Sequence, residues 1–154
     1  MGMYSNLHHD FAKRTKANLE FIDNAYNSGT HNVYNVTQLI NSLLGMVIFL
    51  KEGDFVPAIP LSDLCDMGEI EVIRDDNKSC ANLKNFMCRF RNAIAHCRIQ
   101  DFGTPQDIHG FIMHDQRRGH VPDWEIRITT QRIRSIAIGL VNYVIRNSPN
   151  QAAA

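Results

Sequence analysis

The sequence predicts a mainly α-helical fold: a single domain over residues 1–154, built as a bundle of four or five helices with one β-hairpin inserted before the last helix. Three observations lead there. Apolar residues recur at helical spacing in several separate segments. Two short stretches late in the chain alternate apolar and polar residues instead. No internal repeat, low-complexity tract or linker divides the chain, and its length suffices to bury a core without disulfides or a structural metal.

The elements follow in order. From Asn6 to Asn27, Leu7, Phe11, Leu19, Ile22 and Tyr26 recur at helical spacing, and Ser28-Gly29 ends the segment as a helix C-terminus does. Asn35 to Glu52 carries Val36, Leu39, Ile40, Leu43, Val47 and Leu50 on one stripe and is expected to be the central buried helix. Pro57 and Pro60 break the helical pattern, and the acidic stretch Glu69 to Asp76 reads as solvated, so residues 53–78 are expected to be a loop with one short helix near Ser62 to Met67. Asn77 or Ser79 then caps a helix that runs to about Ile99, before Gly103 and Pro105 stop it. IHGFIMHD and DWEIRIT form the hairpin, with QRRGHVP at its tip. Thr129 or Thr130 caps the last helix, Gln131 to about Asn147.

Charge and composition narrow the function classes. Sixteen basic and sixteen acidic side chains cancel, so no global field draws the chain onto nucleic acid or an anionic membrane, and any such ligand must be gripped locally. Cys65, Cys80, Cys88 and Cys97 show no CxxC pair and read as reduced packing cysteines. The N-terminal MGMYSNLHHDF lacks a signal-peptide pattern, and Asn6 stands where a myristoylation signal has Ser or Thr. Leu39 to Leu50 is too short to span a bilayer. A soluble, cytoplasmic protein with no membrane contact and no cofactor is the expectation.

The chemistry concentrates late in the third helix, in FRNAIAHCRI. At about 100° per residue, Leu83, Phe86, Phe90, Ala93, Ile94 and Cys97 share an apolar arc that faces the core. On the other side, with Arg91 as origin, Ala95 lies about 40°, Asn92 about 100° and His96 about 140° round, so that Arg91 and His96 flank a shallow trough whose floor is Ala95. Asn92 and His96 stand four apart, close enough for the amide to orient the imidazole. A second copy of the helix, related by a twofold axis, can approach over the Ala95 floor and gather two arginines and two histidines around one cleft. Arginine and histidine suit a phosphodiester: imidazole moves a proton near neutral pH, and guanidinium braces the extra charge of a phosphorane-like transition state. On RNA the 2′-hydroxyl is the nucleophile, and no metal is required.

The stretch RNAIAH, within FMCRFRNAIAHCRI, resembles the R-x4-6-H signature of HEPN domains, including the polar residue after the arginine. The similarity covers most of the chain, through an apolar helix ending in Lys51-Glu52, the signature late in a long helix, and a strand pair with a final helix. Small HEPN proteins of plasmids and bacterial defence loci look alike in this respect. The resemblance implies a HEPN-like bundle and a homodimer with a composite site. It implies metal-independent endoribonuclease activity, leaving a cyclic phosphate, in a toxin or defence system, with RNA as substrate and an antitoxin or regulatory protein as partner. Arg91, Asn92 and His96 occupy the catalytic positions. Arg89 and Arg98 are secondary, as substrate contacts. The family also contains inactive members, which makes a non-catalytic module binding RNA, a nucleotide or a partner protein the alternative.

The remaining features have plainer explanations. His109, His114 and His120 match no metal-ligand spacing, and His8-His9 is equally uninformative. Arg117-Arg118, a candidate RNA contact or dimer arm, is expected to be a solvated turn, Trp124 a strand residue packed on the bundle, Glu52, a candidate partner for an arginine of the site, a solvated helix end, and Phe11, Phe21 and Phe49 core.

Overall fold

A computed structural model describes residues 6–29, 33–52, 56, 58–64 and 70–148, with the backbone alone for 49, 51 and 52. Cys65, Pro57, Glu69, the side chains of Phe49 and Glu52, and the Ala152–Ala154 tail lie outside the described residues. The elements are α1 (Leu7–Ser28), α2 (Asn35–Glu52), β1 (Ile70–Asp75), α3 (Leu83–Ala95), β2 (Ile99–Thr104), β3 (Asp107–Asp115), β4 (Trp124–Thr129) and α4 (Thr130–Asn147). Short 3₁₀ turns occupy Leu61–Asp63, within the expected loop, and Ser79–Ala81. Contacts divide the chain into two compact units, Met1–Phe55 with Ala137–Ala154, and Val56–Ile136.

The first unit is helical. Asn6 caps α1 by accepting from His9 N, and Gly29 ends it at φ 63, the left-handed geometry that glycine adopts freely. α1 packs against α2; α1 buries Ala12, Leu19 and Ala25, and α2 buries Leu39, Leu43, Met46, Val47 and Leu50. The α1 stripe is rotated from the expected one: Leu7, Phe21 and Tyr26 are exposed, so Phe21 is not a core residue. The tip of the Phe11 ring lies 3.6 Å from where a Gly45 Cβ would stand, so α1 and α2 meet there. Lys16 Nζ donates to Asn142 Oδ1 at 3.2 Å.

The second unit corrects the mainly α expectation. The hairpin is the middle of a four-stranded antiparallel sheet in the order β1-β4-β3-β2, so the described residues combine four helices with a full sheet. An isolated two-stranded hairpin has too little apolar face to be stable, and the two flanking strands complete the layer on which α3 rests. β1 comes from the stretch expected to be a solvated loop. Only Ile70 of it is buried, Val72 and Ile73 are exposed, and a bulge falls between Val72 and Arg74, so no alternation marks it. β2 begins where α3 was expected to continue. Pro105, taken as a helix stop, lies instead in the tight turn between β2 and β3, where Asp107 N donates to Thr104 Oγ1 at 3.1 Å.

Leu83, Phe86, Met87, Phe90 and Ala93 of α3 are buried, as are Phe111 and Met113 of β3 and Trp124, Ile126 and Ile128 of β4. Each large side chain among them stabilises the fold by about 1.5–3 kcal/mol through burial. Phe86 meets Trp124 edge to face at 6.0 Å, and Trp124 Nε1 donates to Cys80 Sγ at 3.3 Å. Burial pushes the Cys80 thiol up to about 12, in keeping with a packing cysteine.

On the opposite sheet face Phe102 lies across Gly110, with the Arg127 guanidinium 4.1 Å from its ring centroid. A Cβ at Gly110 would fall 2.3 Å from Ile128 O and 2.5 Å from the Phe102 ring. Gly110→Ala is therefore expected to cost about 2–3 kcal/mol, as overpacking against backbone does, read as a lower midpoint in thermal or urea unfolding. Among the described residues no helix is long and apolar enough to cross a membrane, and no group of three or more His, Cys, Asp or Glu is placed to hold a metal ion.

Candidate functional site

The signature helix starts later and ends sooner than expected. Asn82, rather than Asn77 or Ser79, caps α3 by accepting from Asn85 N, while Asp75 accepts from Ser79 N and Cys80 N at 2.7 Å each. The helix stops at Ala95, with His96 as its C-cap. Cys97 takes a left-handed conformation, φ 54. Cys97 N donates to Ile94 O and Arg98 N to Ala93 O, at 3.0 and 2.8 Å, the paired bonds of a Schellman motif. Glycine normally stands at that position. Cys97, expected on the buried arc, is exposed because this turn carries it out of the helix. Cys97→Gly should keep the fold and raise stability by about 0.5–1 kcal/mol, the left-handed penalty it removes less the entropy glycine adds to the unfolded chain, measured by urea unfolding.

The early stop also redirects Arg98. On a continued helix it would lie beneath Arg91. Instead the chain turns back along β3, His114 N donates to Arg98 O at 3.1 Å, and the Arg98 guanidinium reaches Asp115 Oδ1 at 2.9 Å and Gln116 O at 3.0 Å.

Asp115 is the hub of the site. Strand alternation puts it on the same face as Phe111 and Met113, towards α3, and its side chain is 4% exposed. It accepts from Arg89 Nη1 at 3.0 Å, from Asn92 Nδ2 at 3.1 Å and from Arg98 Nη1 at 2.9 Å. Burial raises the carboxyl's pKa, but the hydrogen bonds from Asn92, Arg89 and the Gln116 backbone outweigh it and hold the group below the ordinary carboxylate range. Arg89 also grips Asp123 with two bonds of 2.9 Å. Its own desolvation is outweighed by Asp123 and Asp115, which keep it charged.

The predicted residues are thus only partly united. Arg91 Nη2 donates to Asn92 Oδ1 at 2.6 Å, and Asn92 in turn donates to Asp115, so a chain of bonds runs Asp115, Asn92, Arg91. Arg91 has no carboxylate partner among the described residues, and its Nε is buried without an acceptor. Arg89 and Arg98 are both engaged by carboxylates. The exposed His96 side chain makes no hydrogen bond among the described residues, and both polar atoms of Asn92 are taken by Arg91 and Asp115, so the expected Asn92–His96 side-chain contact is not formed. Ala95, the last residue of α3, is exposed beside His96.

Asp115 and Asp123 are the residues that sequence reasoning missed. The signal was present: Asp115 falls in phase with the buried residues of an alternating strand, and a carboxylate in a core phase needs cations opposite it.

No curated protein and no solved structure matches the chain. The family described as HEPN pEK499 p136 matches it over residues 1–151. The chain, with its RNAIAH helix set on a four-stranded sheet, belongs to that HEPN family.

Proposed function

We propose that this protein is a metal-independent endoribonuclease of a toxin or defence system, acting as a homodimer whose two signature helices share one composite site. HEPN proteins are generally nuclease- or RNA-related, and membership over residues 1–151 supports that class. The observation that carries the finer reading is the contrast among the arginines. Arg89 and Arg98 are neutralised by Asp115 and Asp123, whereas Arg91 is oriented by an amide and keeps its positive charge unpaired among the described residues. A guanidinium held by a neutral partner is the one suited to meet a phosphate.

In this mechanism one His96 takes the proton of the 2′-hydroxyl as it attacks phosphorus. The His96 of the second copy protonates the departing 5′ oxygen. The two Arg91 side chains stabilise the charge on the non-bridging oxygens, and the products are a 2′,3′-cyclic phosphate and a 5′-hydroxyl. Asn92 positions Arg91, and Arg89 and Arg98 hold the scaffold through Asp115.

A non-catalytic module that binds RNA, a nucleotide or a partner protein is the second reading, favoured by the absence of a side chain that fixes the imidazole among the described residues. Incubation with single-stranded RNA in EDTA separates the two. The nuclease reading expects cleavage that disappears in Arg91→Ala and in His96→Ala while the dimer persists by size measurement. Binding without turnover supports the module instead.

A further inference from the structure

The hairpin tip holds a second feature that the signature chemistry does not use. Between the end of β1 and the tip loop lies an open cleft of about 390 Å³, lined by Arg74, Asp76, Asn77, Arg117, His120, Val121 and Asp123. That volume is at the small end of ligand sites, enough for one small group rather than a folded partner.

Its two carboxylates are already occupied. Asp76 takes three hydrogen bonds of 3.0–3.1 and 2.8 Å from Arg74. Asp123 is held by Arg89 at 2.9 Å on each oxygen and accepts from Asn77 Nδ2 at 3.1 Å. By contrast, the exposed Arg117 and His120 have no side-chain partner among the described residues; the bond that joins them is between backbones, His120 N donating to Arg117 O at 3.0 Å. The cleft therefore presents an unpaired guanidinium and an imidazole beside satisfied acids. Val121, 70% exposed, adds an apolar surface next to them.

The cleft is also tied to the signature helix. The tip loop leaves β3 at Asp115 and enters β4 after Asp123, and Arg89 of α3 grips both carboxylates. Asp123 N donates to Asp115 O at 3.2 Å, which closes the base of the loop. The basic loop is thus anchored at both stems, through Arg89, to the helix that carries Arg91.

We infer that this cleft is a subsite for one nucleotide of a single-stranded RNA, its phosphate on Arg117 and His120 and its sugar or base against Val121. The choice of RNA rests on the proposed nuclease reading. The test uses the whole 154-residue chain with His96→Ala, to remove turnover, and a short fluorescein-labelled single-stranded RNA, with affinity read by anisotropy at several salt concentrations. Adding Arg117→Ala and His120→Ala is expected to weaken binding about tenfold, the loss of a charge-assisted hydrogen bond. The slope of log affinity against log salt should become shallower by about 0.7 for each phosphate contact removed. Both side chains are exposed, so the fold should persist, checked by circular dichroism.

Unchanged affinity and slope, or no RNA binding at all, overturns the subsite. A parallel titration with a free nucleoside monophosphate separates the sources of the phosphate: binding weaker than the strand's is expected, and tighter binding overturns the assignment to a strand. The two readings fail separately. RNA binding that depends on Arg117 in a protein that never cleaves leaves the subsite standing without the nuclease. Cleavage with affinity indifferent to Arg117 does the reverse.

Discussion

His96→Ala is expected to lower the rate of RNA cleavage by about 10²–10⁴, the contribution of positioned acid-base catalysis. The loss should fall on kcat, because in the proposed mechanism the imidazole acts on protons that move only in the transition state. Arg91→Ala is expected to cost about 10²–10³, as the removal of one preorganised donor to a developing oxyanion does. Arg91→Lys should not restore the rate. Asn92 Oδ1 accepts from Nη2 at 2.6 Å and fixes a planar fork, a geometry that an ammonium on a flexible stem does not reproduce. Neither change should unfold the protein, since His96 is exposed and Arg91 is in no ion pair among the described residues.

The second large effect is structural. Asp115→Ala removes a buried carboxylate shared by Arg89, Asn92 and Arg98 and should destabilise the Val56–Ile136 unit by about 3 kcal/mol at neutral pH, the usual cost of stripping one partner from a buried ionic cluster. Arg89 keeps Asp123 and Arg98 keeps Gln116 O, which limits the loss. Because the folded-state pKa of Asp115 is depressed, its contribution is fully present above the unfolded carboxylate pKa of about 3.9 and disappears as pH falls through the lower folded value. Urea midpoints of wild type and Asp115→Ala should therefore differ at pH 7 and converge in strong acid. Asp115 also positions Arg91 through Asn92. Asp115→Asn, which keeps an acceptor for the Asn92 amide, should retain more cleavage than Asp115→Ala under conditions where both are folded.

Much of this was legible in the sequence. α2 runs Asn35–Glu52 as its apolar stripe requires, Gly29 ends α1, and Thr129 caps α4 by accepting from Arg132 N at 3.1 Å. The hairpin strands follow from alternation, which both partners obey. The sheet's edges did not show, for different reasons. β1 buries one residue and carries a bulge, so it has neither alternation nor an apolar run. β2 was hidden by the helix before it. Nothing in FRNAIAHCRI announces that Cys97 takes a left-handed turn, since cysteine is not a residue that terminates helices by preference.

The site was half legible for the same reason. Spacing on a helix puts Arg91, Asn92 and His96 on one polar side, which needs no tertiary information. What it cannot supply is the carboxylate opposite. Once β3 lies against α3, Asp115 captures Arg89, Asn92 and Arg98 together, and the amide thought to hold His96 turns out to hold Arg91. The sheet therefore determines which of these arginines is left without a carboxylate partner among the described residues.

The most direct test of that assignment is the chemistry of the cut ends. Single-stranded RNA should be incubated with the protein in EDTA and its fragments weighed by mass spectrometry. Fragments ending in a 2′,3′-cyclic phosphate and beginning with a 5′-hydroxyl, absent with Arg91→Ala and with His96→Ala, are the predicted result. Fragments with 3′-hydroxyl and 5′-phosphate ends, or cyclic phosphate formed undiminished by both variants, would contradict it.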